Sequence, residues 1–455
     1  MFLKLNSSYY PQIFASIFGA LATFTTGQFI GWVSPSIPEL ESDRSVIPGG
    51  ISSYESSWIL IVGFIGNILA TILVAFVSDI FGRKRMILFS TLPVFLSWIL
   101  IYMANRLEIL YGARFIGGFG ETIGKATMFM YIGEIAEAEI RGALGTILVI
   151  TLNLGILFEY ALGPFLSFPN LALISSTIPI LLFGTFIFMP ESPYYHMMNG
   201  DDTNAEKSLQ YLRSKKEVTE ELIEIKSVVE SKLCKMDALK LLLTVKKNRD
   251  TLLLMCAIFA TQELSGITPN VMYAEKILQE THFSFIRTDL VPIILPLVKI
   301  VATLLTTVLV DKVGRRPLFI LSAITCGFAL TLVSGYFYLL EVEKIDLSNY
   351  GWVPVVTITS YNFLFILGFG CLPFILIGEL FQTNVKAIAV SITALFVPIC
   401  SAIVTKVFQT LFDDYGRYAA FGYLAISCYL CFVFITIFLP ETKNKSLAQL
   451  VQDKL

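Results

Sequence analysis

The chain has 455 residues, 55% of them hydrophobic and only 15% charged, with 37 Phe and a mean hydropathy of +0.73. A soluble domain is about 25% charged, and a water-facing fold of this length could not hide so much apolar surface, which argues against a large soluble helical protein. The formal net charge of −2 offers no basic face to nucleic acid.

In chain order, apolar runs fall at 13–33, 57–78, 86–104, 109–132, 143–163 and 171–189, then at 250–274, 289–310, 317–340, 352–378, 387–411 and 417–439. Each is close to the roughly 20 residues that a membrane-spanning helix needs. The first 12 residues lack the basic start and small-residue cleavage site of a signal peptide, so the first run is expected to stay in the membrane. Between the two sets lies a polar stretch, 190–249. Within it Leu222, Ile225, Val229 and Leu233 share one helical face. It reads as short amphipathic helices lying against the membrane part. The expected organisation is an all-α integral membrane fold of twelve transmembrane helices. A six-helix bundle covers 1–189, a cytoplasmic linker 190–249, a second six-helix bundle 250–440 and a tail 441–455. Arg83, Lys84, Arg85, Arg141, Lys312, Arg315, Arg316 and Lys386 fall at alternate junctions. The positive-inside rule therefore puts both termini and the linker in the cytoplasm.

One sentence is written twice. SDIFGRKR (78–85) and VDKVGRRP (310–317) each set an acid three residues before Gly and two bases, and Asp79 and Asp311 stand 232 positions apart. That is half the chain, so the repeat is a repeat of the whole bundle. Paired bundles of this kind place a solute site near the bilayer midplane. Other chemistry is not in view. There are two His, no His/Cys/carboxylate cluster at metal spacing, no nucleophile beside a base and no phosphate loop. Neither enzyme, metal nor cofactor is expected. Cys428 and Cys431 form a C-x-x-C, but with no neighbouring base they read as small apolar fillers.

With DIFGRKR (79–85), ARFIGGFG (113–120), YIGEIAEAEIRGALG (131–145), PESP (190–193), QELSGI (262–267), DKVGRRP (311–317), GELFQTNVKA (378–387) and PETK (440–443), nearly the whole chain resembles the sugar-porter branch of the major facilitator superfamily. GWVSPSIPEL (31–40) is most similar to insect facilitated trehalose transporters and animal facilitative glucose transporters. The resemblance implies the major facilitator fold, a sugar as substrate, the lipid bilayer as surroundings, the plasma membrane as location and a monomer as working unit. It also implies a gate. Asp79, Arg83, Glu134, Arg141 and Glu191 in the first half would pair with Asp311, Arg315, Glu379, Lys386 and Glu441 in the second when the carrier faces outward. Glu134 and Arg141 frame one junction at a seven-residue spacing that Glu379 and Lys386 repeat, Lys standing where Arg is usual. Gly117, Gly118, Gly120 and Gly124 suit close helix packing. Pro373 is expected to break the tenth helix.

The sugar site departs from the family pattern. Gln262 and Tyr273 match it, but the second amide has become Glu263, the later Asn Thr268, the amide of the eighth helix Lys299 and the Trp of the tenth Phe374. The expected amide of the fifth helix falls at Val149 and the Asn-Trp of the eleventh at Val397-Pro398. Glu121 and Lys125 add charge to the fourth helix, one turn apart. Charges at a helix centre in lipid cost at least about 2.5–3.5 kcal/mol each unless paired or hydrated. The expected substrate residues are Gln262, Glu263, Thr268, Tyr273, Lys299, Phe374 and Lys125, with Glu263 facing Lys299. The competing reading is a pair of purely structural ion pairs. Proton-driven sugar symporters commonly carry an acid on the first helix, near the position of Phe29, and no acid precedes Glu39 here. Facilitated diffusion of trehalose or a related sugar is therefore the leading expectation. A carrier of a charged or other small solute, a proton-coupled symporter and a non-transporting sugar sensor are the alternatives.

Overall fold

The computed structural model describes residues 9–43, 45–230, 235–279, 288–381 and 383–441. Among these, eleven helical spans are long and apolar enough to cross a membrane. The first-half spans are Tyr10–Glu41, Ser53–Phe81, Arg83–Tyr102, Ala138–Phe165 and Phe168–Phe186. Those of the second half are Lys246–Met272, Leu290–Val310, Arg315–Glu341, Trp352–Ile377, Val385–Asp414 and Arg417–Phe438. The expected twelfth is Leu107–Ile135, 29 residues of continuous helix. It is long enough to cross, but Arg114, Glu121, Lys125 and Glu134 dilute its apolar character. Counted in place as the fourth, it completes two sets of six.

Large apolar side chains stay exposed on these helices, Phe76 at 61%, Leu430 at 66% and Ile437 at 66%. In water such faces would associate. Against hydrocarbon they are the ordinary outer surface. Inside, small residues let backbones approach. A Cβ on Gly27 would sit 2.0 Å from the Leu152 carbonyl, and one on Gly155 would sit 2.2 Å from the Phe24 carbonyl. The first and fifth helices therefore touch backbone to backbone. Three glycines of the fourth helix also sit at close contacts. Gly117 faces Ser97 and Phe29, Gly120 faces Pro93 and Val94, and Gly124 faces Ser90.

The residues group into two compact units. One takes those up to Phe29, Ile65–Ile156 and those from Ser167 through the linker helices. The other takes Ile30–Phe64, Leu157–Leu166 and those from Lys235 on. In the first unit, linker helices Pro193–Met198, Asp202–Arg213 and Thr219–Glu230 bury Met197, Ala205, Leu209, Val218 and Ile225, with Leu222 and Val229 packed alongside. That is the expected amphipathic face; Leu233 lies outside the described residues. Asp201 caps the second of these helices, accepting from the Asn204 side chain and backbone amide, and these bonds hold its carboxyl below the usual range. Arg213 fastens the segment. Buried, it donates to the Ile135 carbonyl and to Glu221 and lies 3.5 Å from Glu137.

Several spans are interrupted. The seventh helix stops at Leu264 and resumes at Ile267. The carbonyl of Ser265 is freed at the break. The Tyr361 hydroxyl donates to it at 2.9 Å and the Cys428 thiol at 3.9 Å, while the Cys431 thiol reaches the Thr261 carbonyl. Both cysteines are buried free thiols, and the Thr261 carbonyl also accepts from the Ser265 amide. The tenth helix passes through a π turn at Ile366–Gly370 before restarting at Leu372 with Pro373 in its first turn. The expected break is therefore real, with a widened turn leading into it.

Gly27→Val and Gly155→Val should each abolish the monodisperse peak in fluorescence-detected size-exclusion chromatography, since each drives a side chain into backbone. Gly133→Ala, with nothing within 4 Å of its Cβ, should elute as wild type.

Candidate functional site

The repeated motif resolves into a repeated structure. Gly82 has φ +90° and caps the third helix; Gly314 has φ +107° and caps the ninth. That conformation favours glycine. At each turn a remote glutamate sits on the exposed amides of the new helix. Glu191 accepts from the backbone N–H of Arg83 and Lys84 at 3.0 Å. Glu441 accepts from those of Arg315 and Arg316 at 3.2 Å. An anion at a helix N-terminus is stabilised by about 0.3–1 kcal/mol, and more when partly buried. The arginine after each glycine turns inward. Arg83 is buried and pairs with Glu134 at 2.7 Å and Asp79 at 3.0 Å, while its other nitrogen donates to the Ser78 carbonyl. Arg315 pairs with Glu379 at 2.9 Å and donates to the Val310 carbonyl.

Glu134, seven residues before Arg141, has its partners elsewhere. Its oxygens go to Arg83 and the Ser192 hydroxyl, and exposed Arg141 donates to the Ala136 carbonyl. Glu191 and Glu441 each accept from two backbone amides, because the turn offers two aligned N–H groups at one point. Lys386 is half-buried at the start of the eleventh helix, and the side chain of Asp311 lies outside the described residues.

Of the seven expected substrate residues, Gln262, Glu263, Thr268, Tyr273, Lys299 and Phe374 fall in the second unit and Lys125 in the first. Glu263 is buried just before the break in the seventh helix. Its Oε2 accepts from Thr268 at 2.7 Å and from Ser401 at 2.8 Å. Gln262 is buried beside it. Tyr273 is buried against Phe408, ring centroids 6.3 Å apart, its hydroxyl without a hydrogen-bond partner among the described residues. Phe374 is 59% exposed and packs edge-on against Phe259. Lys299 is buried and forms no ion pair among the described residues. The expected face-to-face pair of Glu263 and Lys299 is thus replaced by a carboxylate held between two hydroxyls and a lysine apart from it.

In the first unit Glu121 is buried, accepting from Thr26 at 2.6 Å and Thr122 at 3.1 Å, with the Lys125 ammonium 3.9 Å away. Arg114 is fully buried. Its guanidinium lies 3.5 Å from the centre of the Phe29 ring and donates to the Phe29 carbonyl at 2.8 Å.

A second polar cluster lies within the other unit. Lys276 reaches Glu41 and Ser53 at 2.9 Å. The Lys406 ammonium donates to Ser57 at 2.7 Å and sits 4.1 Å from the centre of the Tyr54 ring and 5.6 Å from that of Trp58, a cation–π arrangement. Ser34 accepts from the Glu275 amide, and the Tyr160 hydroxyl donates to the Val271 carbonyl. Tyr54 and Asp79 sit near opposite ends of one helix, roughly 40 Å apart at 1.5 Å per residue. The sequence reading passed over Lys406 and Arg114, although the rule that singled out Lys299 applies equally to them. Ser401 left no such signal.

Gly82→Ala should lower stability by about 1–3 kcal/mol and Gly314→Ala by less. The added Cβ would meet Glu191 at 2.5 Å in the first case and Glu441 at 3.1 Å in the second. Apparent melting in detergent would rank the two.

The model of the sugar (and other) transporter family matches residues 10–453. The facilitated trehalose transporter Tret1 of Culex quinquefasciatus is 30% identical over 444 residues, 96% of this chain and 84% of that one. Its namesake from Aedes aegypti is also 30% identical over 444 residues, which span 96% of this chain but 54% of that one. Among solved structures, the inward-open form of the E. coli xylose transporter XylE matches with a TM-score of 0.81 at 20% identity, covering 96% of this chain and 98% of that one. At that identity the likeness speaks for the fold alone. A doubled set of six membrane helices, Gly-Arg turns capped by distant glutamates and a family match over nearly all its length make this chain a member of the sugar transporter family, with the major facilitator fold.

Proposed function

We propose that the protein carries a neutral sugar of the trehalose class down its gradient by alternating access, with both termini in the cytoplasm. The observation that carries the reading is Glu263, a buried carboxylate at a helix break that accepts from two hydroxyls. A carboxylate accepts hydrogen bonds and donates none, so it suits a ligand rich in O–H donors. Gln262, Thr268, Tyr273 and Phe374 are the companions on the same unit. Uniport is supported by Phe29, an apolar residue at the first-helix position where proton-coupled carriers commonly hold an acid. Relatives named as facilitated trehalose transporters support the solute class.

The test is uptake into proteoliposomes from a panel holding trehalose, glucose, xylose and an anionic sugar acid. Trehalose should enter, and a protonophore should leave its rate unchanged. Glu263→Ala should raise KM for trehalose about tenfold or more, as expected for losing a hydrogen bond to a charged group. One observation favours a second reading: buried Lys299 lacks an ion pair among the described residues, which suits an anionic solute. In that case the sugar acid enters, and Lys299→Asn abolishes its uptake while sparing trehalose.

Lys276 and Glu41 are read as part of the seal on the outer side. Glu41→Lys should increase labelling of a cysteine placed at Tyr273 by an impermeant external thiol reagent. The swap Glu41→Lys with Lys276→Glu should return labelling toward its original level.

A further inference from the structure

Ser401 holds one proton between two acceptors. The side chain is buried on the eleventh helix. Its Oγ lies 2.8 Å from Oε2 of Glu263 and 2.9 Å from the carbonyl of Val397, four residues back on its own helix. A hydroxyl has a single hydrogen to donate. The carboxylate is the stronger acceptor, and the carbonyl one turn back is the usual resort of a serine within a helix.

Both helices carry a helix-weakening feature near this bond. The seventh is interrupted just after Glu263, at Ser265 and Gly266. The eleventh, Thr383–Asp414, contains Pro398, three residues before Ser401; proline removes an internal hydrogen bond and permits a kink. Thr268 donates to the same Oε2, but from five residues along the same stretch of chain, so its bond stays local. Ser401 reaches Glu263 from 138 residues away.

We propose that Ser401 is a positioning residue whose bond to Glu263 is a solute-releasable tie between the seventh and eleventh helices. The inference rests on the reading that Glu263 receives the solute. A sugar hydroxyl donating to Oε2 takes over the acceptor. Ser401 then turns its proton to the Val397 carbonyl, so no buried polar group is left unpaired. The two bendable helices lose their link only when solute is present. Without solute the tie holds, and the empty carrier changes face more slowly than the loaded one.

The experiment compares exchange with net efflux of radiolabelled trehalose in proteoliposomes, or of the panel sugar the wild-type protein carries. Wild type should exchange faster than it empties. Ser401→Ala should narrow that ratio by about three- to tenfold and lower KM by a similar factor, the range of one net hydrogen bond. Ser401→Thr, which keeps the hydroxyl, should behave as wild type. Ser401→Cys, a weaker donor of similar shape, should fall between and carries the test if the alanine variant does not fold. The proposal fails if Ser401→Ala keeps the wild-type ratio, or if Ser401→Thr loses it as well. If Glu263→Gln leaves KM unchanged for every sugar, Glu263 is not in the solute site and the tie falls with that reading. If Glu263→Gln shifts KM while Ser401→Ala shifts nothing, the tie alone is wrong.

Discussion

A charge or an orphan carbonyl inside a bilayer can be satisfied only by the protein itself or by water it admits. The structure is organised around that constraint. The carbonyl freed where the seventh helix breaks is met by the hydroxyl of Tyr361 and the thiol of Cys428. The carboxylate of Glu121 is met by two threonines and Lys125. Arg114 spreads its charge over the ring and carbonyl of Phe29. Each solution uses partners from other helices, so each also fixes how those helices pack.

The two Gly-Arg turns show the same economy at a membrane face. One glycine lets the chain reverse, one arginine plugs inward on acids of its own unit, and one glutamate from after the last helix of that half closes the new helix end. Arg83 and Arg315 are thereby held by carboxylates and a carbonyl at once. These groups are structural within each half before they are anything else, and any gate built from them must work by exchanging existing bonds. The Lys276 and Lys406 contacts are of a different kind. They join residues of the two halves of the sequence, 235 and 349 positions apart.

Bendable points and the proposed solute site coincide in the second half. The break after Glu263 and the π turn before Pro373 fall within a few residues of side chains expected in that site, and Pro398 lies three residues before Ser401, which donates to Glu263. Interrupted helices give up backbone bonds, and the side chains that replace those bonds are exchangeable in a way that a helical ladder is not. A carrier that must change shape without unfolding can use such exchangeable partners.

Much of the fold was legible in the sequence. The apolar runs, their division into six and six, the amphipathic linker and the doubled Gly-Arg turn are written in local order, because lipid demands that each span satisfy its own backbone over a set length. The fourth helix read as a span even with its charges, since its glycines and apolar residues keep period. The departures at Glu263 and Lys299 were also visible, as charges where lipid tolerates few. What tertiary structure alone decided was partnership. Glu134 stands seven residues from Arg141 yet binds Arg83, 51 residues away. Glu191 serves two backbone amides and Glu263 serves Ser401. Sequence spacing says which groups could meet within a turn of helix. Which groups do meet depends on helix crossings, and these are set by side-chain volume and by the removal of a Cβ at places such as Gly27 and Gly155.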